Sequence, residues 1–224
     1  MAHEHHHEHQ DLSLEEQRAS LTARFWDERY AGSDRVWSGN PNLRLVEQSA
    51  DLTPGTALDV ACGEGGDAIW LARQGWRTTA ADVSAVALGR VRDHAAAAGV
   101  TVETLPWDAL GTETPGGGAS YDLVTVSFLH VPVADFADVY RRIAAAVAPG
   151  GRLLVTAHHP HDVESGARES HGPGLLFEPG AVLAALDVDA GGWDVEVADT
   201  PTRDQDTPDG PLHVRDTVVR LRRR

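Results

Sequence analysis

Thr56-Ala-Leu-Asp-Val-Ala-Cys-Gly-Glu-Gly-Gly-Asp-Ala-Ile-Trp-Leu-Ala-Arg-Gln-Gly75 reads as a buried strand that runs into a glycine turn and opens a helix. Ala57 to Ala61 is a short apolar run bounded by Thr53-Pro54-Gly55, the pattern of a central parallel strand. Gly63 and Gly65 let the backbone turn tightly and approach a ligand that a Cβ would hold off. Ala68, Ile69, Leu71 and Ala72 then form the inward face of a helix whose N-terminal amides point at the same place. Asp59 stands out in this run. A carboxylate inside an apolar strand is costly without partners, so it belongs near the carboxyl end of the strand with donors or a cation to meet it.

Downstream the pattern alternates. Arg77 to Ala81 is a second strand ending in Asp82-Val-Ser84, and Ser84 caps a helix that Gly99 ends. Val100 to Leu105 gives a third strand, followed by Pro106-Trp107-Asp108, and Tyr121 to Ser127 a fourth. A helix over 134–148 leads through Pro149-Gly-Gly151 to a fifth strand at Arg152 to Ala157. The stretch 158–174, with four histidines and little hydrophobic content, suggests a lid. A short helix over Pro179 to Leu186 precedes strands at Trp193 to Ala198 and His213 to Leu221, which a polar turn joins as a hairpin. Upstream, Ser13-Leu-Glu-Glu16 is a capping box for a helix that carries Trp26 and Tyr30 and ends near Gly32. Asn40-Pro41 starts a second, with Leu43, Val46 and Ala50 inward, and Trp37 sits in the loop between. The expectation is a Rossmann-like, doubly wound α/β fold: a seven-stranded sheet with an antiparallel C-terminal hairpin strand and N-terminal capping helices. In domain terms, 1–12 is a His-rich tail, 13–52 the capping helices and 53–224 the nucleotide-binding unit of a single domain.

Composition narrows the partners. The net charge of −15, with 34 acidic residues against 19 arginines and no lysine, argues against nucleic acid and anionic membranes. A single cysteine, Cys62, excludes an internal disulfide and fits a reducing compartment. With no long apolar run and no signal pattern, the expectation is a cytoplasmic protein, monomeric or homodimeric. His3, His5, His6, His7 and His9 could hold a soft divalent metal adventitiously; no other metal site is expected.

In doubly wound sheets ligands bind outside the carboxyl ends of the strands, where strand order reverses. That rule gathers Ala61 to Gly65, Asp82, Trp107-Asp108, Ser127 to His130 and His158-His159 around one cleft. Asp82 can accept both hydroxyls of a ribose, and Trp107 with Asp108 suits an aromatic base and its exocyclic amine. The cleft is a nucleoside site. Gly63-Glu-Gly65-Gly-Asp-Ala68 also satisfies the dinucleotide pattern, so a nicotinamide-dependent reductase is one alternative. A metal-responsive binding protein built on the N-terminal histidines is another.

Phe25-Trp-Asp-Glu-Arg-Tyr30, Leu58-Asp-Val-Ala-Cys-Gly-Glu-Gly65, Ala81-Asp-Val-Ser84, Tyr121-Asp-Leu-Val124, Ala148-Pro-Gly-Gly151 and His213-Val-Arg-Asp-Thr-Val-Val219 together resemble the class I S-adenosylmethionine-dependent methyltransferases. The likeness is to small-molecule enzymes near the tellurite-resistance and thiopurine methyltransferases, over roughly residues 20 to 222. It implies S-adenosylmethionine as cofactor and S-adenosylhomocysteine as product. Asp59 would face the methionyl ammonium, with Ala61, Cys62, Gly63 and Gly65 wrapping the donor. Asp82 would hold the ribose and Val83 line the adenine. Asp108 would meet the adenine amine, with Trp107 or Ala109 against its ring and Ser127 near the sulfonium end. Many relatives have glycine where this chain has Ala61, so the approach there is looser. Trp37 and Tyr30 are candidates to stabilise the sulfonium by cation–π attraction.

A sulfonium leaves readily, so methyl transfer asks mainly for in-line contact and exclusion of water. A soft sulfur, selenium or tellurium acceptor needs no base and is slightly favoured by the resemblance. A hydroxyl or amine acceptor, as in an O- or N-methyltransferase of a secondary metabolite, does need one. His130 is the first candidate, ahead of His158 and His159.

Overall fold

The computed structural model describes residues 13–164, 175–207 and 210–224. The histidines at 3 to 9 and most of the expected lid lie outside them. The helices α1 (Leu14–Ala19), α2 (Ala23–Ala31) and α3 (Leu43–Ser49) come first. The alternating unit is β1 (Thr56–Val60), α4 (Gly66–Arg73), β2 (Arg77–Asp82), α5 (Ala85–Ala98), β3 (Val102–Pro106), β4 (Tyr121–Ser127), α6 (Val133–Ala145) and β5 (Val147–His158). It continues through α7 (His161–Glu164), α8 (Pro179–Ala185), a 3₁₀ turn, β6 (Trp193–Asp199), β7 (Thr202–Thr207) and β8 (Gly210–Arg223).

The sheet order is β3-β2-β1-β4-β5-β8-β6, parallel from β3 to β5, with β8 antiparallel to both β5 and β6. Strand order reverses between β1 and β4, which puts the cleft where the chain rules require it. Alternation along β1 divides the core. Leu58 and Val60 join Val124, Val126, Leu153 and Val155 under α6 and α8. Ala57 faces the other way, with Leu123 and Leu154 against Leu45 and Leu71. Asp59 shares that second face by period two.

Three expectations need correction. The N-terminal helix is two helices, because Ser20 Oγ donates to the Gln17 carbonyl and Thr22 Oγ1 accepts from Phe25 N, ending one helix and capping the next. The following helix is capped by Asn42, two residues later than expected, and its inward residues are Arg44, Leu45 and Ser49; Leu43 is 49% exposed. Among the described residues the sheet holds eight strands. The expected hairpin turn contains β7, which pairs with the first half of β8 while β6 pairs with the second.

Candidate functional site

The glycine turn is held in a conformation that only its residues allow. Gly63 has φ +53°, and a Cβ there would stand 3.0 Å from Tyr30 Oη and 3.1 Å from Trp37 Nε1. Gly65 has φ +85°, with Val91 of α5 3.0 Å from where its Cβ would be. Ala61 also takes a left-handed φ of +56°, the site where the resemblance marked a departure from glycine. An alanine held there costs about 1–2 kcal/mol.

Three carboxylates converge around this turn. Asp59 is 1% exposed, and its Oδ2 is buried without a hydrogen-bond partner. Burial, then the neighbouring charges of Asp67 and Asp82, push its carboxyl well above the ordinary range. Asp82 is 7% exposed; its Oδ2 accepts from Gly63 N and its Oδ1 from Ser84 N, both at 2.9 Å. Asp67, in the first turn of α4, accepts from Asn42 N at 2.6 Å and from Ser127 Oγ at 2.8 Å. Desolvation raises Asp67 and Asp82 as well.

The remaining candidates fall around this centre. Trp37 is 46% exposed and donates from Nε1 to Tyr30 Oη at 2.9 Å. Cys62 packs toward Ala68 and Val91, its thiol pushed up by burial. Val83 is half-buried after β2. Trp107 and Ala109 are buried in the main core; Trp107 Nε1 donates to the Glu113 carbonyl and the Arg142 guanidinium lies over its ring. Trp107 therefore backs the cleft from within the core. Asp108 is exposed, its Oδ1 accepting from Leu110 N. At the tips of β4 and β5, the His130 ring lies 5.5 Å from that of His158, which lies 4.3 Å from Phe128. Phe128 itself has a left-handed φ of +59°. His159 Nδ1 accepts from His161 N.

The sequence reading missed a latch. Glu64, between the two glycines, is 4% exposed and accepts from Val36 N and Trp37 N through Oε2. Its Oε1 meets Arg90 Nη1 at 2.6 Å, and Arg90 also donates to the carbonyls of Tyr30 and Ser33. Burial works to raise Glu64, but the two amides and Arg90 bring it below its ordinary value. These contacts tie the turn to the loop carrying Trp37. Arg90→Ala should destabilise the chain by about 2–3 kcal/mol, somewhat below the cost of breaking a fully buried pair because Arg90 is partly exposed. It should also make Trp37 fluorescence more open to acrylamide quenching. A urea midpoint and quenching slope equal to wild type would refute the latch.

The site fits a cationic nucleoside donor on its own terms. The unpartnered oxygen of Asp59 suits an ammonium. Tyr30 and Trp37 close over Gly63, and the indole of Trp37 can face a sulfonium there.

Comparison with known proteins agrees. Residues 57–151, from β1 to the glycine turn within β5, match a family described as a methyltransferase domain. A demethylmenaquinone methyltransferase of Thermus thermophilus is 33% identical over 138 residues, 59% of this chain and 62% of that protein. A ubiquinone biosynthesis O-methyltransferase of Ralstonia nicotianae is 35% identical over 146 residues, 63% of this chain and 59% of that protein. The chain spans about six tenths of the length of these curated relatives. A solved structure described as "Conversion of a Disulfide Bond into a Thioacetal Group during Echinomycin Biosynthesis" shares the fold, with TM-score 0.72, 24% identity, and coverage of 90% of this chain and 92% of that one. The antiparallel β8 between β5 and β6 separates this sheet from an all-parallel dinucleotide-binding one. Matched segment and strand order agree: residues 57–151 are similar to a methyltransferase domain, set in a sheet whose C-terminal strand runs antiparallel.

Proposed function

We propose that the chain transfers a methyl group from S-adenosylmethionine to a small-molecule acceptor, a soft sulfur, selenium or tellurium nucleophile, in the cytoplasm. The observation that carries the reading is the buried, unpartnered Oδ2 of Asp59 beside the Gly63–Gly65 turn. The donor, when bound, supplies a methyl on a positively charged sulfur that departs as a neutral thioether. This chain's part is to hold and to shield. Asp59 receives the ammonium, and Gly63 and Gly65 let the backbone close on the methionyl part. Asp82 offers a ribose the lone pairs that its two amides leave. Val83 and Asp108 border the adenine, and Trp37 and Tyr30 cover the sulfonium and exclude water. A soft acceptor fits because Ser127, the hydroxyl at the tip of β4, is already committed to Asp67, and a thiolate needs no proton removed. Among the described residues no helix is long and apolar enough to cross a membrane.

A second reading, O-methylation with His130 as base, is favoured by the name of the Ralstonia relative. The test is calorimetric titration with S-adenosylhomocysteine, then turnover with matched thiol and phenol acceptors. His130→Ala should leave thiol methylation near wild type; on the second reading it lowers phenol methylation by about 10²–10⁴-fold. No S-adenosylhomocysteine binding, with tight NAD binding instead, would end both.

A further inference from the structure

The segment α1–α2 bridges the mouth of the cleft. At one end Arg18 makes a two-pronged ion pair with Asp135 in the first turn of α6. At the other, Asp27 on α2 accepts from Ser84 Oγ at 2.6 Å and from Val86 N at 3.2 Å, at the start of α5. At about 100° per residue, Phe25 and Arg29 stand roughly 160° around the helix from Asp27. They share the face of α2 turned away from α5.

That face carries one cation in an aromatic setting. The Arg29 guanidinium carbon lies 5.6 Å from the Trp26 ring centroid and 5.8 Å from that of Trp37. Trp26 packs edge-on to Phe25 at 5.5 Å and lies 6.3 Å from Trp37. Phe25 and Trp37 remain 40% and 46% exposed. Trp37 in turn touches the Gly63 turn, so the aromatic run leads from the donor's place outward. The other arginine of α2, Arg24, is neutralised by Glu28. Among the described residues no carboxylate pairs with Arg29, in a chain with 34 acidic residues. Beneath it the turn is lined by the buried carboxylates Asp59 and Asp82. The floor suits a positive ligand and the roof a negative one.

We infer that Phe25, Trp26, Arg29 and Trp37 form the acceptor-recognition face, and that the acceptor is a flat, unsaturated molecule bearing a negative charge. The inference rests on the methyl-transfer reading and names the substrate class of that site. A guanidinium resting on indoles keeps its donors for a carboxylate or similar anion, and the rings take the flat body. The layering of charge also sorts the two ligands, since the donor's cation is repelled by Arg29 and the acceptor's anion by the floor.

The full chain, with and without S-adenosylhomocysteine, is titrated calorimetrically with 4-mercaptobenzoate and with 4-mercaptobenzamide, which differ by one charge. The carboxylate should bind at least tenfold more tightly. Arg29→Gln should bring the ratio to within twofold while S-adenosylhomocysteine affinity stays within twofold of wild type. Arg29→Lys, which keeps the charge, should retain a preference of at least threefold. Equal binding of the two probes, binding of neither, or a preference that survives in Arg29→Gln would overturn the inference. Failure of S-adenosylhomocysteine to bind wild type strikes the donor assignment instead, and the carboxylate-to-amide ratio is still read on the free chain.

Discussion

Asp59→Asn should make the free chain more stable and the donor-bound chain weaker. Asp59 is 1% exposed and one of its oxygens lacks a partner, so the folded chain carries a buried polar group at a cost of about 1–3 kcal/mol. Asparagine keeps the shape without the charge and should recover about that amount at neutral pH, read as a higher urea midpoint. Binding should move the other way. Losing the charged partner of a buried ammonium costs about 2–4 kcal/mol, roughly thirty- to several hundred-fold in affinity. S-adenosylhomocysteine is the right probe because it keeps the ammonium and lacks the sulfonium. A variant no more stable than wild type, or binding the probe equally well, would remove Asp59 from the site.

The pH dependence carries the same sign. The folded carboxyl titrates above its ordinary value of 3.8, because burial and the charges of Asp67 and Asp82 oppose ionisation. As pH rises past 3.8 the unfolded chain gives up this proton first. Relative stability is therefore lost between that value and the raised folded one, and none of the loss occurs in Asp59→Asn. The stability gap between variant and wild type should be small at the acid end and widen as pH rises. Donor affinity of wild type should strengthen over the same window, with a proton released on binding, while the variant's stays flat.

What could be read from the chain was local. The strand, turn and helix over Thr56 to Gly75 carry their own punctuation, and an acidic residue inside an apolar strand announces itself without a partner in view. Asp67 and Glu64 had no such signal. Each looks like an ordinary polar residue of a turn, and acquires meaning only when Asn42, Ser127, Trp37 and Arg90 arrive from elsewhere in the chain. The break at Ser20–Thr22 was hidden because Leu14, Leu21 and Phe25 continue one helical stripe across it. β7 was hidden for the opposite reason: Thr202-Arg-Asp-Gln-Asp-Thr207 has no apolar alternation, and it is a strand because β8 offers it an edge. Arg44 was not among the residues expected inward, yet it is 5% exposed.

Arg44 is inward because Asp216 is there, and Asp216→Ala should be strongly destabilising. Asp216 sits on β8 opposite His158, just past the run paired with β7 and before the run paired with β6, and is 1% exposed. It accepts from Arg44 Nε at 3.0 Å and from Arg203 Nε at 2.9 Å. Removing it strands a guanidinium whose side chain is 6% exposed, leaving Arg44 only Glu47 at the rim and the carbonyls of Pro201 and Thr202. Stranding a buried charge costs about 3–5 kcal/mol, much of a domain's total stability. Arg203 is 22% exposed and can turn to solvent. The double variant Arg44→Met, Asp216→Leu should therefore recover more than half of the loss, since neither charge then stays buried alone. Chemical denaturation of the two variants decides it. Asp216→Ala within 1 kcal/mol of wild type, or a double variant as unstable as the single, would mean that α3 is held to the sheet by its apolar face alone.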